Sequence, residues 1–169
     1  RKRIKRYTDF KTNKIVNFDK PKSAEESISN KQTMHFDIKL FRKSMRGYSY
    51  FMTAVLESKR RVDAILLKYK SDAQTAIKQL IAKYKRAFKI IITHVRADGD
   101  GPFVDHDLLN WYKQQGIIWD PSTAYTPQQN GLAERFQQTL MNTARALLIR
   151  ADLTHGYWCY AIKAAAHLL

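Results

Sequence analysis

Two carboxylates, Asp98 and Glu134, stand 35 residues apart (134 − 98 − 1 = 35), the second inside the run Tyr125-Thr126-Pro127-Gln128-Gln129-Asn130-Gly131-Leu132-Ala133-Glu134-Arg135. Acids this far apart in sequence meet only if one sits at a strand end and the other on a returning helix, which is how folds build a site for two divalent cations. Asp37, in Met34-His35-Phe36-Asp37-Ile38, would complete the set. Such a set suits phosphoryl transfer on nucleic acid. Each acid also has a plainer role open to it. Asp37 falls inside an apolar run, where an unpaired carboxylate is costly to bury; metal coordination would resolve that cost, and so would a bond to its same-face neighbours His35 or Lys39. An Asp after a buried strand, as Asp98 is, often serves as a turn former or helix cap.

The elements that must position these acids are legible as patterns. Met34, Phe36, Ile38 and Leu40 alternate as a strand does, Gly47 marks a turn, and Tyr48 to Leu56 and Val62 to Tyr69 read as two further strands. Ser71 is placed to cap a helix carrying Ala73, Ala76, Ile77, Leu80, Ile81 and Tyr84 at helical spacing. Phe88 to Val95 is almost continuously apolar, as expected of a central strand, and Asp98 lies just past it. The segment Asp98-Gly99-Asp100-Gly101-Pro102 breaks regular structure, Phe103 to Gln115 reads as a helix ending at Gly116, and Ile117 to Trp119 as a short strand.

A long helix then spans 131–150, with Leu132, Phe136, Leu140, Thr143, Ala144 and Leu147 on its core side. Glu134 lies about 200° around from Leu132, pointing away from the core, and shares its face with Gln138, Met141 and Arg145. A carboxylate beside an amide and a guanidinium suits metal binding next to a phosphate backbone; the same stripe is also what the solvated side of an amphipathic helix looks like. The order βββαβαβα predicts an α/β fold, a mixed five-stranded sheet flanked by helices.

Composition supports one domain with a real core, since 44% of the 169 residues are hydrophobic. Residues 1–30 read as a basic polar linker, opening with Arg1-Lys2-Arg3-Ile4-Lys5-Arg6, and 31–169 as the folded core. Thirty Lys and Arg against fifteen Asp and Glu give +15, which implies a polyanionic partner, foremost nucleic acid. A cationic membrane-surface protein fits less well, because the basic residues are spread along the chain among nine Tyr and three Trp with no long apolar segment. Cys159 is the only cysteine, which excludes a disulfide framework and a Cys/His zinc cluster and points to a reducing, intracellular setting. The basic start and the apolar helical pattern at 164–169 read as an excised piece of a longer polypeptide, cut short at its C-terminal end.

The Asp98–Glu134 spacing and the Tyr125 to Arg135 run closely resemble the integrase core of copia-type LTR retrotransposons. Lys68-Tyr69-Lys70-Ser71-Asp72-Ala73 is similar to the family's Lys-x-Lys-Ser-acid stretch, and Asp152-Leu153 through Tyr157-Trp158 and Ala161 to its leucine, tryptophan and alanine segment. The resemblance runs from about Gln32 to the end. It implies a ribonuclease H-like fold, a D,D(35)E triad of Asp37, Asp98 and Glu134, and two Mg²⁺ or Mn²⁺ ions held between them. It further implies an in-line displacement that trims and joins element cDNA ends to host DNA, double-stranded DNA as partner, and a homo-oligomer with no membrane association. Asn130, Gln138 and Arg145 would line the DNA, and the site of action would be the nucleus after a cytoplasmic particle stage.

The chain departs from the family pattern in three places. Leu40-Phe41 stands where Gly-Pro is common, Asp98-Gly99-Asp100-Gly101-Pro102-Phe103 where Asp-Asn-Gly-Gly-Glu-Phe is common, and a family Asp is replaced around Leu56-Glu57-Ser58. These changes leave a second reading open, a degenerate, non-catalytic remnant that binds nucleic acid through its basic faces. A ribonuclease H-like nuclease shares such acids, but the Tyr125 to Arg135 run favours the integrase branch.

Overall fold

In β1 (Thr33–Leu40), Met34, Phe36 and Ile38 face one side of the sheet while Thr33, His35 and Asp37 face the other. The computed structural model describes residues 31–121 and 131–169, so the basic segment 1–30 and the stretch 122–130, with Asn130 and most of the Tyr125 to Arg135 run, lie outside the described residues. β1 pairs antiparallel with β2 (Tyr50–Leu56), which pairs antiparallel with β3 (Arg61–Leu67). On its other side β1 pairs in parallel with β4 (His94–Arg96), and β4 with β5 (Ile118–Trp119). The result is the expected mixed five-stranded sheet, in the order β3-β2-β1-β4-β5.

Helices cover both faces. One side packs Met34, Phe36, Met52, Leu56 and Val95 against α1 (Ala73–Lys83) and α2 (His106–Gln114) through Ile77, Leu80, Leu108 and Tyr112. The other packs Phe51, Val55, Val62 and Ala64 against α3 (Gly131–Arg150) and α4 (Trp158–Leu168) through Leu140, Ala144, Leu148 and Ile162. Trp158 pins α4 down: its ring lies 5.0 Å from that of Phe41, and its indole N–H donates to the Arg42 carbonyl at 2.8 Å. Among the described residues no helix is long and apolar enough to cross a membrane.

Several expectations change. The apolar run 88–95 is not one strand: a wide π-type turn, Tyr84–Phe88, extends α1, Lys89 turns left-handed at φ +56°, and the Ile90 N–H donates back to the Tyr84 carbonyl. Residues 88–90 therefore finish the helix, Ile91 is exposed, and strand pairing starts only at His94. Ser71 does not cap α1; the Asp72 carboxylate instead accepts from the Tyr69 N–H, closing a single 3₁₀ turn before Ala73. Asp105, accepting from the N–H groups of Asp107 and Leu108, caps α2 and delays its start from Phe103 to His106. On α3 the buried stripe is Ala133, Gln137, Leu140, Ala144 and Leu148, so Leu132, Phe136, Thr143 and Leu147 flank it.

Because Leu140 sits at the centre of the contact that orients α3, Leu140→Ala is expected to cost about 2–5 kcal/mol, whereas exposed Ile149→Ala stays within about 0.5 kcal/mol. Urea denaturation of the two variants checks the contrast.

Candidate active site

The carboxylate site begins with register. Thr33, Met34 and His35 of β1 lie beside His94, Val95 and Arg96 of β4; carried two residues further, the same parallel register sets Asp37 beside Asp98. Neighbouring strands run about 5 Å apart, so the two acids are adjacent. Alternation fixes the face as well. Met34, Phe36, Val95 and Ala97 are buried against α1 and α2, which turns Asp37 and Asp98 to the α3 side. There α3 carries Glu134 in its first turn, on the exposed face, as its angular position predicts.

Electrostatics report the convergence. Asp37 is half-buried, and its pKa is raised from 3.8 to about 6, first by burial and then by the negative charges of Asp98 and Glu134, against the opposing backbone bond from Ile38 and the charge of Lys39. The Asp37 carboxylate thus feels both other acids. Among the described residues no three His, Cys, Asp or Glu side chains close on one point tightly enough to hold a metal ion together. The donor set nevertheless fits a hard divalent cation in kind: oxygen ligands only, in a field that burial and like charge make unfavourable for the bare anion.

Beneath the acids runs a second polar row, Glu57, His35, Arg96 and Asp120. His35 is 2% exposed, and its Nε2 lies 3.3 Å from a Glu57 oxygen. Asp37 therefore bonds neither to His35 nor through it. Burial lowers the His35 pKa, with Glu57 opposing and the charge of Arg96 reinforcing that shift. Arg96 makes a close ion pair with Asp120, linking β4 to the end of β5. Sequence reasoning missed this row because its members come from four separate strand ends. It also missed Thr53, directly across from Asp37 on β2, and Gln137, one turn beyond Glu134. Both are buried, and the Thr53 hydroxyl and Gln137 amide nitrogen lack hydrogen-bond partners among the described residues. The signal for Gln137 was present, since it lies at i+4 from Ala133 and i−3 from Leu140, inside the apolar stripe.

Of the expected DNA-side residues, Gln138 and Arg145 are exposed on α3, with the Gln138 amide donating to Asn142 at 3.0 Å; Asn130 is outside the described residues. Lys70, from the Lys-x-Lys-Ser stretch, reaches the turn after Asp98, where a Cβ on Gly101 (φ +61°) would meet its Nζ at 3.0 Å. That turn accordingly needs glycine at 101 but not at 99, where the nearest atom to an added Cβ is Pro121 at 3.8 Å.

No protein-family profile matches the chain. Among curated relatives, it is 27% identical over 126 residues to the retrovirus-related Pol polyprotein from transposon TNT 1-94 of Nicotiana tabacum, covering 75% of this chain. It is 30% identical over 123 residues to that from transposon RE1 of Arabidopsis thaliana, covering 73% of this chain. Solved structures agree on the fold. The catalytic core of BIV integrase aligns at TM-score 0.57 and 22% identity over 80% of this chain and 78% of that one. The HTLV-2 integrase catalytic core, in a trimeric form with magnesium, aligns at 0.61 and 16% over 83% and 84%. The chain is thus similar to a short stretch of retrotransposon Pol polyproteins and has the fold of retroviral integrase catalytic cores. It spans only 10% and 8% of the two plant polyproteins. An intasome of simian T-cell lymphotropic virus aligns as well, at TM-score 0.64 and 18% identity over 81% of this chain and 47% of that one. The chain thus has the ribonuclease H-like fold that the copia-type resemblance implied.

A raised Asp37 pKa sets the sign of a pH effect in this chain. A folded-state value above the unfolded one leaves stability intact below about pH 4 and withdraws it as pH rises through about 6. The full shift corresponds to about 3 kcal/mol, and partial exposure reduces this to about 1–2 kcal/mol. In metal-free buffer Asp37→Asn should therefore be more stable than the parent by that amount at about pH 8 and equal to it near pH 4. Paired urea titrations at the two pH values measure it; an equal gain at both would place its cause outside ionisation.

Proposed function

We propose that the integrase-like core performs metal-dependent 3′-end processing and strand transfer, joining element cDNA to host DNA, with Asp37, Asp98 and Glu134 as its acids. The observation that carries this reading is the Asp37 carboxyl, set by strand register beside Asp98, whose proton affinity is raised first by burial and then by the charges of Asp98 and Glu134. Two Mg²⁺ or Mn²⁺ ions held by these acids would supply Lewis-acid activation of the attacking hydroxyl or water and of the leaving oxygen. The chain's own residues do the positioning. Asp37 and Asp98 are fixed by strand pairing, Glu134 by the buried stripe of α3, and the row from Glu57 to Asp120 keeps β1, β4 and β5 together beneath them. Gln138 and Arg145 continue the exposed stripe from Glu134 and offer an amide and a guanidinium to a duplex lying along α3. Asn130 would join them. Action in the nucleus and assembly as a homo-oligomer belong to the same proposal.

The test is strand transfer on a labelled duplex with a recessed 3′ end. Joined product is expected with Mg²⁺ and not with EDTA, and Asp98→Asn or Glu134→Gln should lower the rate by about 100-fold or more. Transfer should be weak in the parent, because Gly99 loosens the turn after Asp98 and Pro102 withdraws an amide donor. Gly99→Asn with Pro102→Glu should raise it, and position 99 has room for the side chain. Absence of product from both parent and double variant, with folding intact, would favour the non-catalytic nucleic-acid-binding remnant.

Arg145→Ala tests the DNA path separately. Duplex affinity should fall, and the slope of log affinity against log salt should drop by about 0.9, one phosphate contact, with the melting temperature unchanged. An unchanged slope would leave Arg145 on the solvated face alone.

A further inference from the structure

The end of the sheet away from the acids carries the opposite sign. There the β2–β3 turn and the segment after α1 meet the start of β1: the Ser58 hydroxyl donates to the Gln32 side chain at 2.5 Å, and the N–H groups of Thr93 and His94 donate to the Gln32 carbonyl. A groove of about 620 Å³ at this corner is lined by Lys59, Arg60, Arg61, Phe88 and Ile90 among others. It continues, through the shared Lys59 and Ile90, into one of about 450 Å³ lined also by Lys89, Ile91 and Thr93.

The acids nearby are already engaged. Glu57 faces His35, and Asp63 takes Lys83 at 2.8 Å, the Tyr84 hydroxyl at 2.7 Å and Arg61 at 3.9 Å. Lys59 and Lys89 make no ion pair among the described residues, and both are exposed. Their backbones are not loose: the Arg60 N–H closes the β2–β3 turn onto Glu57, and the Ile90 N–H closes the turn around Lys89 onto Tyr84. Arg61 is held with its guanidinium 4.0 Å over the Phe88 ring. Lys59 and Arg60 from the β2–β3 turn, Arg61 from the start of β3 and Lys89 from the turn after α1 thus surround the two joined grooves.

Thr33 and Asp37 are four residues apart on an extended strand, about 13 Å, which exceeds the Debye length of about 8 Å at physiological salt. The acidic end does not cancel the basic one. We propose that this groove is a second binding site for duplex DNA, holding a phosphate backbone at the end of the sheet opposite the carboxylates. A duplex carries one charge per about 1.7 Å of axis, so cations standing on separate turns find phosphates at once. An acidic peptide would need carboxylates spaced to match. The groove site needs no metal and no chemistry, so it stands or falls apart from strand transfer.

The test is fluorescence anisotropy of the full chain with a labelled duplex of about 20 base pairs in EDTA, from about 50 to about 300 mM NaCl. Lys59→Gln with Lys89→Gln should lower the log–log salt slope by about 1.8 and weaken binding roughly 30-fold at 0.15 M, two phosphate contacts' worth. Lys59→Arg with Lys89→Arg should keep the parent slope. Circular dichroism and melting temperature confirm that both variants fold; should the Gln pair not fold, Lys59→Gln alone carries the test, with a slope loss of about 0.9. An unchanged slope in the Gln variants overturns the proposal. So does weakened binding to poly-glutamate with DNA binding intact, which would assign the groove to an acidic protein.

Discussion

The parallel pairing of β1 with β4 is the constraint on which the site depends. β1 has antiparallel β2 on its other flank, so its two neighbours approach it by different routes: one through a tight turn, the other after α1 has crossed the sheet. Only the second route can bring Asp98, more than sixty positions downstream, beside Asp37. A slip of one residue in that ladder would turn Asp98 to the α1 and α2 side, into the apolar layer around Val95 and Ala97. The hydrophobic pattern of β4 therefore specifies the polar site as firmly as the acids do. The paired N–H groups of Thr93 and His94 on the Gln32 carbonyl fix where the ladder begins.

Burial and like charge leave Asp37 in a position that works against folding at neutral pH, as sites built for binding cations commonly do. Just below lies a row in which Glu57 meets the buried imidazole of His35 and Arg96 pairs with Asp120. Glu57 stands in that row at a position where the resemblance expects an acid nearby, and His35 gives it a buried partner. The Arg96–Asp120 pair does the corresponding task on the other side. Buried polar atoms without hydrogen-bond partners among the described residues, on Thr53, Gln137, His35 and Arg96, gather on the same face of the sheet. Among the described residues the apolar layer against α1 and α2 contributes Tyr112 alone to such atoms.

Much of this was legible in the sequence, for identifiable reasons. Period-two alternation in Met34 to Ile38 and the stretch 131–150 both give strong local signals, and the strand and helix that carry Asp37 and Glu134 form where those signals place them. The apolar run 88–95 misled because hydrophobicity alone does not distinguish a strand from the end of a helix: Ile90 closes a helical turn, Ile92 enters the core, and Ile91 does neither. The stripe on α3 was displaced by one position because Gln137 is polar yet buried, and a pattern scored by polarity rejects it. The Glu57 to Asp120 row and the basic corner at Lys59 and Lys89 are products of strand order, which no local pattern records.

The length of α3 has a consequence in terms of measure. Its 20 residues extend about 30 Å, close to the rise of nine base pairs. Glu134 and Arg145 lie eleven residues apart along it, about 16 Å, and nearly in line around the axis because eleven residues complete three turns. A rigid rod with an acid at one mark and a cation at another is a ruler: under the proposed function it would fix how many nucleotides separate Glu134 from Arg145. One inserted residue between the two marks would change the spacing by only about 1.5 Å but swing the second mark by about 100°, off the face altogether. Phase along the helix, more than length, is what the ruler keeps.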